Sequence, residues 1–319
     1  MEKSHIYKGR CCLKAYRVLN VTSGKATVED EHFQPIQCYL RGKYKQYFKR
    51  NLNFLRVGDF VTISKDGNTY CVEKVLPRTS KFSRAMPNYE QIEQVLAANV
   101  DQVIMINAFT NPEFKFGLID RYTVLAEKNN LPITICFNKA DLVEGIDTSE
   151  ITDIYSSIGY NVLVTSIETG EGIEEFKALL SGSISVVTGH SGVGKSSLIN
   201  KIAPELEITT QEVSDYNEKG QHTTTLAEFH RLDETTAIID TPGIKEFALW
   251  DIEKEDLHML LPDFKDARES CKFYNCTHRH EPKCGVRKDV EDGVIEYTRY
   301  ENYLHMFTEL EERELKRYK

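Results

Sequence analysis

The segment GHSGVGKS, residues 189–196, matches the phosphate-binding pattern GxxxxGK[ST]. An apolar run, SISVVTG, leads into it, and a helix-like run, KSSLINKI, follows, as this pattern requires. Glycines let such a loop wrap a phosphate with its backbone N–H groups. We expect Lys195 to reach the β- and γ-phosphates of a nucleotide and Ser196 to ligate Mg²⁺. The predicted phosphate-site residues are Gly189, His190, Ser191, Gly192, Val193, Gly194, Lys195, Ser196 and Ser197.

A second candidate phosphate-site segment, DTPG, follows the apolar run ending at Ile239. An Asp at the carboxyl end of a strand can hold Mg²⁺ through water, and a following backbone N–H can sense the γ-phosphate. The segment DTPG is also a common β-turn when it stands alone. Because it follows a phosphate loop, we predict roles for Asp240 and Gly243 in the nucleotide site.

The segment NKAD, residues 138–141, also ends an apolar run and would select the base. A carboxylate there accepts from N1–H and the exocyclic amine of guanine, a pair of donors that adenine lacks. Unpaired buried polar groups make such discrimination large. Asn138, Lys139, Ala140 and Asp141 are therefore predicted to bind guanine, which disfavours an ATPase or kinase. The alternative is a surface turn in which Asp141 caps a helix.

Three cysteines and a histidine near the carboxyl end, Cys271, Cys276, His278 and Cys284, form a Cys3His set suited to tetrahedral zinc. Other metals are not favoured by these ligands at this spacing. His280 is a rival ligand, and the thiols could instead be core or redox cysteines. With four protein ligands, the predicted site would be structural.

The basic segment RGKYKQYFKR, residues 41–50, interleaves cations with aromatic rings. Cations can follow a phosphate backbone while rings stack on unpaired bases, as in nucleic-acid-binding barrels. A solvated loop with some rings in the core is the alternative. The formal net charge of the chain is −9, but residues 1–80 carry +8, residues 81–244 carry −13 and residues 245–319 carry −4. Only the first part therefore has the charge of a polyanion binder.

The predicted elements divide the chain of 319 residues into three domains. Five short strands between residues 10 and 75 indicate an OB-like β-barrel. Apolar strands alternating with helices indicate an α/β domain with a mostly parallel sheet. We predict a barrel over residues 1–75, a linker over 76–88, an α/β domain over 89–250 and a mainly helical, zinc-binding domain over 251–319. No signal-peptide pattern or long apolar run occurs in this sequence, so we expect a cytoplasmic protein without membrane contact.

The order of the motifs is unusual, because NKAD and the following TSIETGEG, residues 165–172, precede the phosphate loop. Ras-like GTPases have the opposite order, so the chain resembles the circularly permuted GTPases. With a barrel before and a cysteine cluster after, it resembles the family of ribosome small-subunit-dependent GTPases, the RsgA, YjeQ and YloQ proteins. The stretches ANVDQVIMI, LIDRY and KGQHTTT extend this resemblance over essentially the whole chain.

The resemblance implies a GTPase with bound Mg²⁺ and one zinc ion, acting as a monomer on the small (30S) ribosomal subunit and its 16S rRNA. Subunit-stimulated hydrolysis would drive release after late maturation. The resemblance implies that Thr224 binds Mg²⁺ and the γ-phosphate, that His222 is catalytic and that Ser166 belongs to the nucleotide site. Ile244 stands where Ras-like enzymes carry the water-orienting Gln, so intrinsic hydrolysis should be slow. The alternatives are a nucleotide-gated RNA-binding module with incidental hydrolysis and a large-subunit assembly GTPase.

Overall fold

A computed structural model describes residues 14–22, 24–41, 53–86, 89–208, 227–241 and 248–317. Three residues predicted to act in the nucleotide site, His222, Thr224 and Gly243, lie outside the described residues. Most of the basic aromatic segment, residues 42–50, also lies outside them.

The amino-terminal strands close into a barrel with the order β1-β2-β3-β5-β4. β3 and β5 pair in parallel, and the other neighbouring pairs are antiparallel. Alternate apolar side chains point inward, among them the fully buried Val18, Val28 and Val61, as the period of a strand requires. The predicted OB-like barrel is confirmed. Its strands are β1 (Tyr16–Thr22), β2 (Lys25–Glu29), β3 (Pro35–Leu40), β4 (Phe60–Asp66) and β5 (Thr69–Val75).

The predicted linker over residues 76–88 is wrong in part, because it contains β6 (Lys81–Met86). This strand pairs antiparallel with β7 (Tyr89–Ala98) in a two-stranded sheet. Phe82 on β6 is fully buried and stacks on Tyr122, with ring centroids 6.1 Å apart. The basic residues and prolines are typical of a linker, but burial of Phe82, Ser83 and Ala85 stabilises a strand here.

The central domain contains a six-stranded sheet with the order β10-β9-β8-β11-β13-β12. All neighbouring pairs are parallel except β12 with β13. The expected α/β domain with a mostly parallel sheet is confirmed. Its strands are β8 (Gln102–Ala108), β9 (Ile133–Asn138), β10 (Asn161–Val164), β11 (Ile184–Gly189), β12 (Glu228–Arg231) and β13 (Ala237–Asp240). Its helices are α1 (Phe116–Lys128), α2 (Ser149–Ser156), α3 (Ile173–Leu180) and α4 (Lys195–Ile202).

The carboxyl-terminal region is helical, as expected, with α5 (Lys265–Glu269), α6 (Gly285–Glu291) and α7 (Tyr297–Arg317). The last of these, α7, is a single helix of 21 residues. None of the helices in the described ranges is long and apolar enough to cross a membrane.

A buried ion network joins the carboxyl-terminal region to the α/β domain. Arg299 on α7 donates to Asp120 Oδ1 on α1 (2.6 Å) and to Asp263 Oδ1 (2.7 Å). Tyr155 and Asn302 also donate to Asp120, at 3.0 and 2.6 Å. Because every charge has a partner, the network holds α7 against α1 without leaving a buried ion unpaired.

The barrel contacts the other end of the sheet, at the edge strand β12. Arg231 on β12 forms an ion pair with Glu29 of the barrel, and Nε is 3.0 Å from Glu29 Oε2. The Arg17 guanidinium lies 4.3 Å from the ring centroid of Phe60 and 5.5 Å from that of Phe229 on β12. β12 therefore connects the barrel to the strand that carries Asp240.

Candidate nucleotide site and metal centre

The phosphate loop begins at Gly189, the last residue of β11. Gly189 has φ +145°, and a Cβ there would lie 2.0 Å from the carbonyl oxygen of Ile106 on β8. Only glycine fits so close to the neighbouring strand. The loop then turns into α4, whose amino terminus lies at the carboxyl edge of the parallel sheet, the usual place for a phosphate.

The base-selecting segment lies directly beside the phosphate loop. Asn138 Nδ2 donates to the carbonyl of Val193 at 2.9 Å, and Thr165 Oγ1 donates to Asn138 Oδ1 at 3.1 Å. Gly194 has φ +94°, and a Cβ there would lie 2.4 Å from Asn138 Nδ2. The structure thus brings NKAD and GHSGVGKS together, although about fifty residues separate them in sequence.

Lys195 is buried, and its side chain contacts the backbone of its own loop. Its Nζ donates to the carbonyls of Gly189 (3.0 Å) and His190 (2.9 Å). Burial lowers the pKa of Lys195, while the nearby Asp240 carboxylate raises it. These backbone acceptors are ones that a phosphate oxygen can replace, so the ammonium group is positioned for an anion in the loop.

Asp240 ends β13 and has an oxygen that suits a cation. Its Oδ1 is buried and has no hydrogen-bond partner among the described residues. Burial raises the pKa of Asp240 to about 6, and Lys195 opposes this rise. A buried unpaired carboxylate oxygen beside a phosphate loop fits a hydrated Mg²⁺, which prefers oxygen ligands. Ser196, the expected direct ligand, is the second residue of α4.

The residues expected around the base are held by short contacts. Ser166 Oγ donates to Asp141 Oδ1 at 2.5 Å, which joins the NKAD and TSIETGEG segments. Lys139 adopts φ +63°, and its Nζ donates to the carbonyl of Asn111 at 2.5 Å. Ala140 N donates to the carbonyl of Thr165, at 3.1 Å. The two segments therefore form one polar edge next to the phosphate loop.

The four predicted metal ligands meet in the carboxyl-terminal region. The ligand atoms of Cys271, Cys276, His278 and Cys284 all lie within 4.8 Å of one another. The two sulfurs of Cys271 and Cys284 are 3.9 Å apart, and His278 Nδ1 is 3.6 and 3.3 Å from them, respectively. Tetrahedral zinc with ordinary bond lengths requires separations of about 3.8 Å for two sulfurs and about 3.5 Å for sulfur and nitrogen. The donor set fits such an ion, and His278 rather than His280 belongs to it.

Backbone donors face the sulfurs of the cluster. Gly285 N lies 3.3 Å from Cys271 Sγ, and Arg287 N lies 3.4 Å from Cys284 Sγ. Burial raises the pKa of the Cys276 thiol to about 12. A metal ion binds the thiolate form, so metal binding at this thiol would release a proton.

Two contacts of His278 were not predicted from the sequence. His258 Nδ1 lies 2.6 Å from His278 Nε2, and Tyr300 donates to the carbonyl of His278 at 2.7 Å. His258 lies twenty residues before His278, and nothing in the spacing of the cluster points to it. The contact depends on the tertiary packing of residues 257–260 against the cluster.

A phosphate loop after the base-selecting motif, between a barrel and a Cys3His cluster, defines a circularly permuted GTPase. The family model for the RsgA GTPase matches residues 75–250. The chain belongs to this family and is a GTPase.

Known relatives cover nearly the whole chain. The small ribosomal subunit biogenesis GTPase RsgA of Bacteroides fragilis (strain YCH46) is 36% identical over 300 residues, which are 92% of this chain and 96% of the relative. The RsgA of Gemmatimonas aurantiaca is 38% identical over 296 residues, 92% of this chain and 96% of the relative.

Two solved structures share the fold. The crystal structure of YjeQ from Thermotoga maritima has a TM-score of 0.72 and 37% identity, and the match covers 93% of this chain and 98% of that one. The structure of YloQ, described as a circularly permuted GTPase, has a TM-score of 0.68 and 29% identity, covering 96% and 99%.

Proposed function

We propose that this protein is a ribosome biogenesis GTPase that binds the small (30S) ribosomal subunit, assists its late maturation and is released after subunit-stimulated hydrolysis. The observation that carries the proposal is the contact of Asn138 with the phosphate loop, which joins a guanine-selecting motif to a phosphate site. The names of the relatives supply the ribosomal context.

Within the nucleotide site we assign roles by position. Asp141 accepts from guanine, and Asn138, Lys139, Ala140 and Ser166 complete the base pocket. Lys195 binds the β- and γ-phosphates, while Ser196 and Asp240 hold Mg²⁺, the latter through water. The other phosphate contacts come from Gly189, His190, Ser191, Gly192, Val193, Gly194 and Ser197. The buried unpaired oxygen of Asp240 supports its role, because a cation would supply the missing partner.

Three further roles concern residues outside the described ranges and rest on the family resemblance. We assign Thr224 to Mg²⁺ and the γ-phosphate, Gly243 to the γ-phosphate and His222 to catalysis. Ile244 cannot orient water, so the free enzyme is expected to hydrolyse GTP slowly.

The role of His222 is tested by His222→Ala. We expect subunit-stimulated kcat to fall while nucleotide affinity stays unchanged, since the residue would act on the attacking water. Single-turnover hydrolysis and nucleotide titration measure the two effects separately. An unchanged kcat would rule out the catalytic role.

We assign zinc to the Cys3His cluster, because three thiolates and one imidazole whose ligand atoms lie within 4.8 Å of one another suit this ion. All four positions are filled by protein, so the ion would be structural. Metal analysis of the purified protein tests the assignment. Intact, folded protein with free thiols and no zinc would contradict it.

We propose a division of labour among three domains and a monomeric, cytoplasmic protein. The barrel, residues 1–75, binds 16S rRNA; residues 89–250 form the GTPase domain, and residues 251–319 the metal domain. The charge of +8 in residues 1–80 supports the first role, since the body that follows is acidic. Arg41, at the start of the basic aromatic segment, is exposed at the end of β3.

Cosedimentation with separated ribosomal subunits tests the proposed partner. We expect the protein to pellet with small subunits in the presence of a nonhydrolysable GTP analogue and to dissociate with GDP. Preferential pelleting with large subunits would instead support a large-subunit assembly GTPase. Binding that depends on nucleotide, with normal function of His222→Ala in cells, would support an RNA-binding module with incidental hydrolysis.

A further inference from the structure

The contact between His258 and His278 is closer than packing alone requires. His258 Nδ1 and His278 Nε2 are 2.6 Å apart, a hydrogen-bond distance. At this separation one nitrogen must carry the proton and the other must accept it. The pair therefore fixes the tautomer of both rings.

The direction of the hydrogen bond follows from the metal cluster. His278 Nδ1 faces the sulfurs of Cys271 and Cys284, so it is the nitrogen that binds a metal ion. A neutral imidazole that binds through Nδ1 carries its proton on Nε2. His278 therefore donates, and His258 Nδ1 accepts.

His258 is itself held in place. It lies on the short 3-10 helix Leu257–Leu260, and Arg268 Nη1 donates to its backbone carbonyl at 2.6 Å. The ring of Phe264 meets that of His278 edge to face, with centroids 5.9 Å apart.

We propose that His258 is a positioning residue of the metal centre. Its Nδ1 accepts the Nε2 proton of His278 and holds that ring in the tautomer and orientation in which Nδ1 binds zinc. Partners of this kind orient metal-bound histidines, and their loss typically costs about 10–100-fold in metal affinity. The inference rests on the zinc assignment made above.

Two substitutions at His258 separate hydrogen bonding from packing. His258→Leu keeps an apolar body of similar size but removes the acceptor. His258→Asn places an amide oxygen at the position of Nδ1 and retains an acceptor. His280→Ala is the matched control, since His280 lies near the cluster in sequence but outside it.

The readout is the zinc affinity of the full chain, measured by competition with a chromophoric chelator. We expect His258→Leu to weaken zinc binding by about 10–100-fold, and His258→Asn and His280→Ala to remain close to the unmodified protein. Unchanged affinity of His258→Leu would overturn the proposal. Equal weakening by Leu and Asn would also overturn it, because the contribution would then come from packing. Unmodified protein that contains no zinc would instead refute the metal assignment.

A measurement on the unmodified protein makes the test independent of how the variants fold. Long-range proton–nitrogen correlation spectra of zinc-loaded protein with nitrogen-15-labelled histidine report which ring nitrogens carry protons. We expect a metal-bound Nδ1 and a protonated Nε2 for His278, and an unprotonated Nδ1 for His258. Metal binding through Nε2 of His278, or a protonated Nδ1 of His258, would contradict the proposal.

Discussion

The nucleotide site and the metal centre are built in different ways. The nucleotide site collects residues from four distant segments at the ends of β9, β10, β11 and β13. The candidate metal centre takes its four predicted ligands from fourteen consecutive residues, 271–284. The first therefore depends on the folding of a whole sheet, and the second on one short segment supported by its neighbours.

The two sites also differ in the partners of their polar groups. Lys195 binds carbonyls of its own loop, and Asp240 Oδ1 has no partner among the described residues. In the metal centre, backbone N–H groups face two sulfurs and His258 faces the far nitrogen of His278. A site that releases its ligand in every cycle needs groups that can exchange partners, whereas a site that retains its ligand can have every group prearranged.

Removal of the metal is expected to produce the largest effect. Structural zinc contributes on the order of 10 kcal/mol in isolated zinc-binding peptides. Cys284→Ser should therefore lose zinc and unfold much of the carboxyl-terminal region, while GTP binding is largely retained. Zinc content, near-ultraviolet circular dichroism and nucleotide titration measure these effects. Cys71→Ser, at a buried cysteine of the barrel, is the control. Equal thermal stability with and without zinc would contradict the structural role.

The second-largest effect is expected for the buried ion network that joins the carboxyl-terminal region to the α/β domain. Arg299→Met leaves Asp120 and Asp263 as buried carboxylates without their cation, which typically costs about 3–5 kcal/mol. Urea unfolding measures this loss. Arg121→Ala, which removes a partly exposed ion pair with Glu309, should cost less than about 1 kcal/mol. Similar losses for both variants would show that the buried network has no special role.

Lys195→Ala, in the phosphate loop, is expected to weaken GTP binding and to leave the zinc content unchanged. Loss of a hydrogen bond to a charged partner costs about 1.5–3 kcal/mol, or about 10–150-fold in the Kd for GTP. The exposed Lys201 on the same helix provides the control, Lys201→Ala. An unchanged Kd would show that Lys195 does not contact phosphate.

A smaller effect is expected for Asp240→Asn. This substitution should raise the stability of the nucleotide-free protein but weaken the binding of GTP with Mg²⁺. The pKa of Asp240 is about 6 in the folded state, above the ordinary value of 3.8 that holds in the unfolded chain. The folded state therefore binds this proton more tightly. The resulting contribution to stability is present below about pH 4 and is lost as the pH rises through 6. Asp240→Asn should therefore stabilise the nucleotide-free protein at pH 7.5 and have very little effect on its stability near pH 4. It should also weaken Mg²⁺-dependent GTP binding. Urea unfolding at the two pH values checks the first effect, and a gain independent of pH would refute it.

Much of the fold was predictable, because apolar periodicity marks the barrel strands and the buried parallel strands directly. The strand over Lys81–Met86 was missed, since Pro77, Pro87 and several basic residues resemble a linker locally. Its stability comes from Phe82, which is buried against α1 of a later segment. Such long-range burial leaves no local signal.

For the candidate sites, the sequence predicted which residues take part but not all of the contacts between them. Motif spacing predicted the phosphate loop, NKAD and the four cluster residues, because their chemistry constrains residue type. The structure places the first two side by side and gathers the four cluster residues within 4.8 Å. Motif spacing could not reveal that Asn138 bonds to Val193 or that His258 meets His278, since both contacts depend on tertiary packing. The roles of His222 and Thr224 stay predictions.

GTP turnover with and without purified small ribosomal subunits tests the proposed function. We expect slow hydrolysis by the free protein, strong stimulation by small subunits and little stimulation by large subunits. Lys195→Ala should lower the stimulated rate at subsaturating GTP by about 10–150-fold. Equal turnover with and without small subunits would show that the protein is not a GTPase of the small subunit.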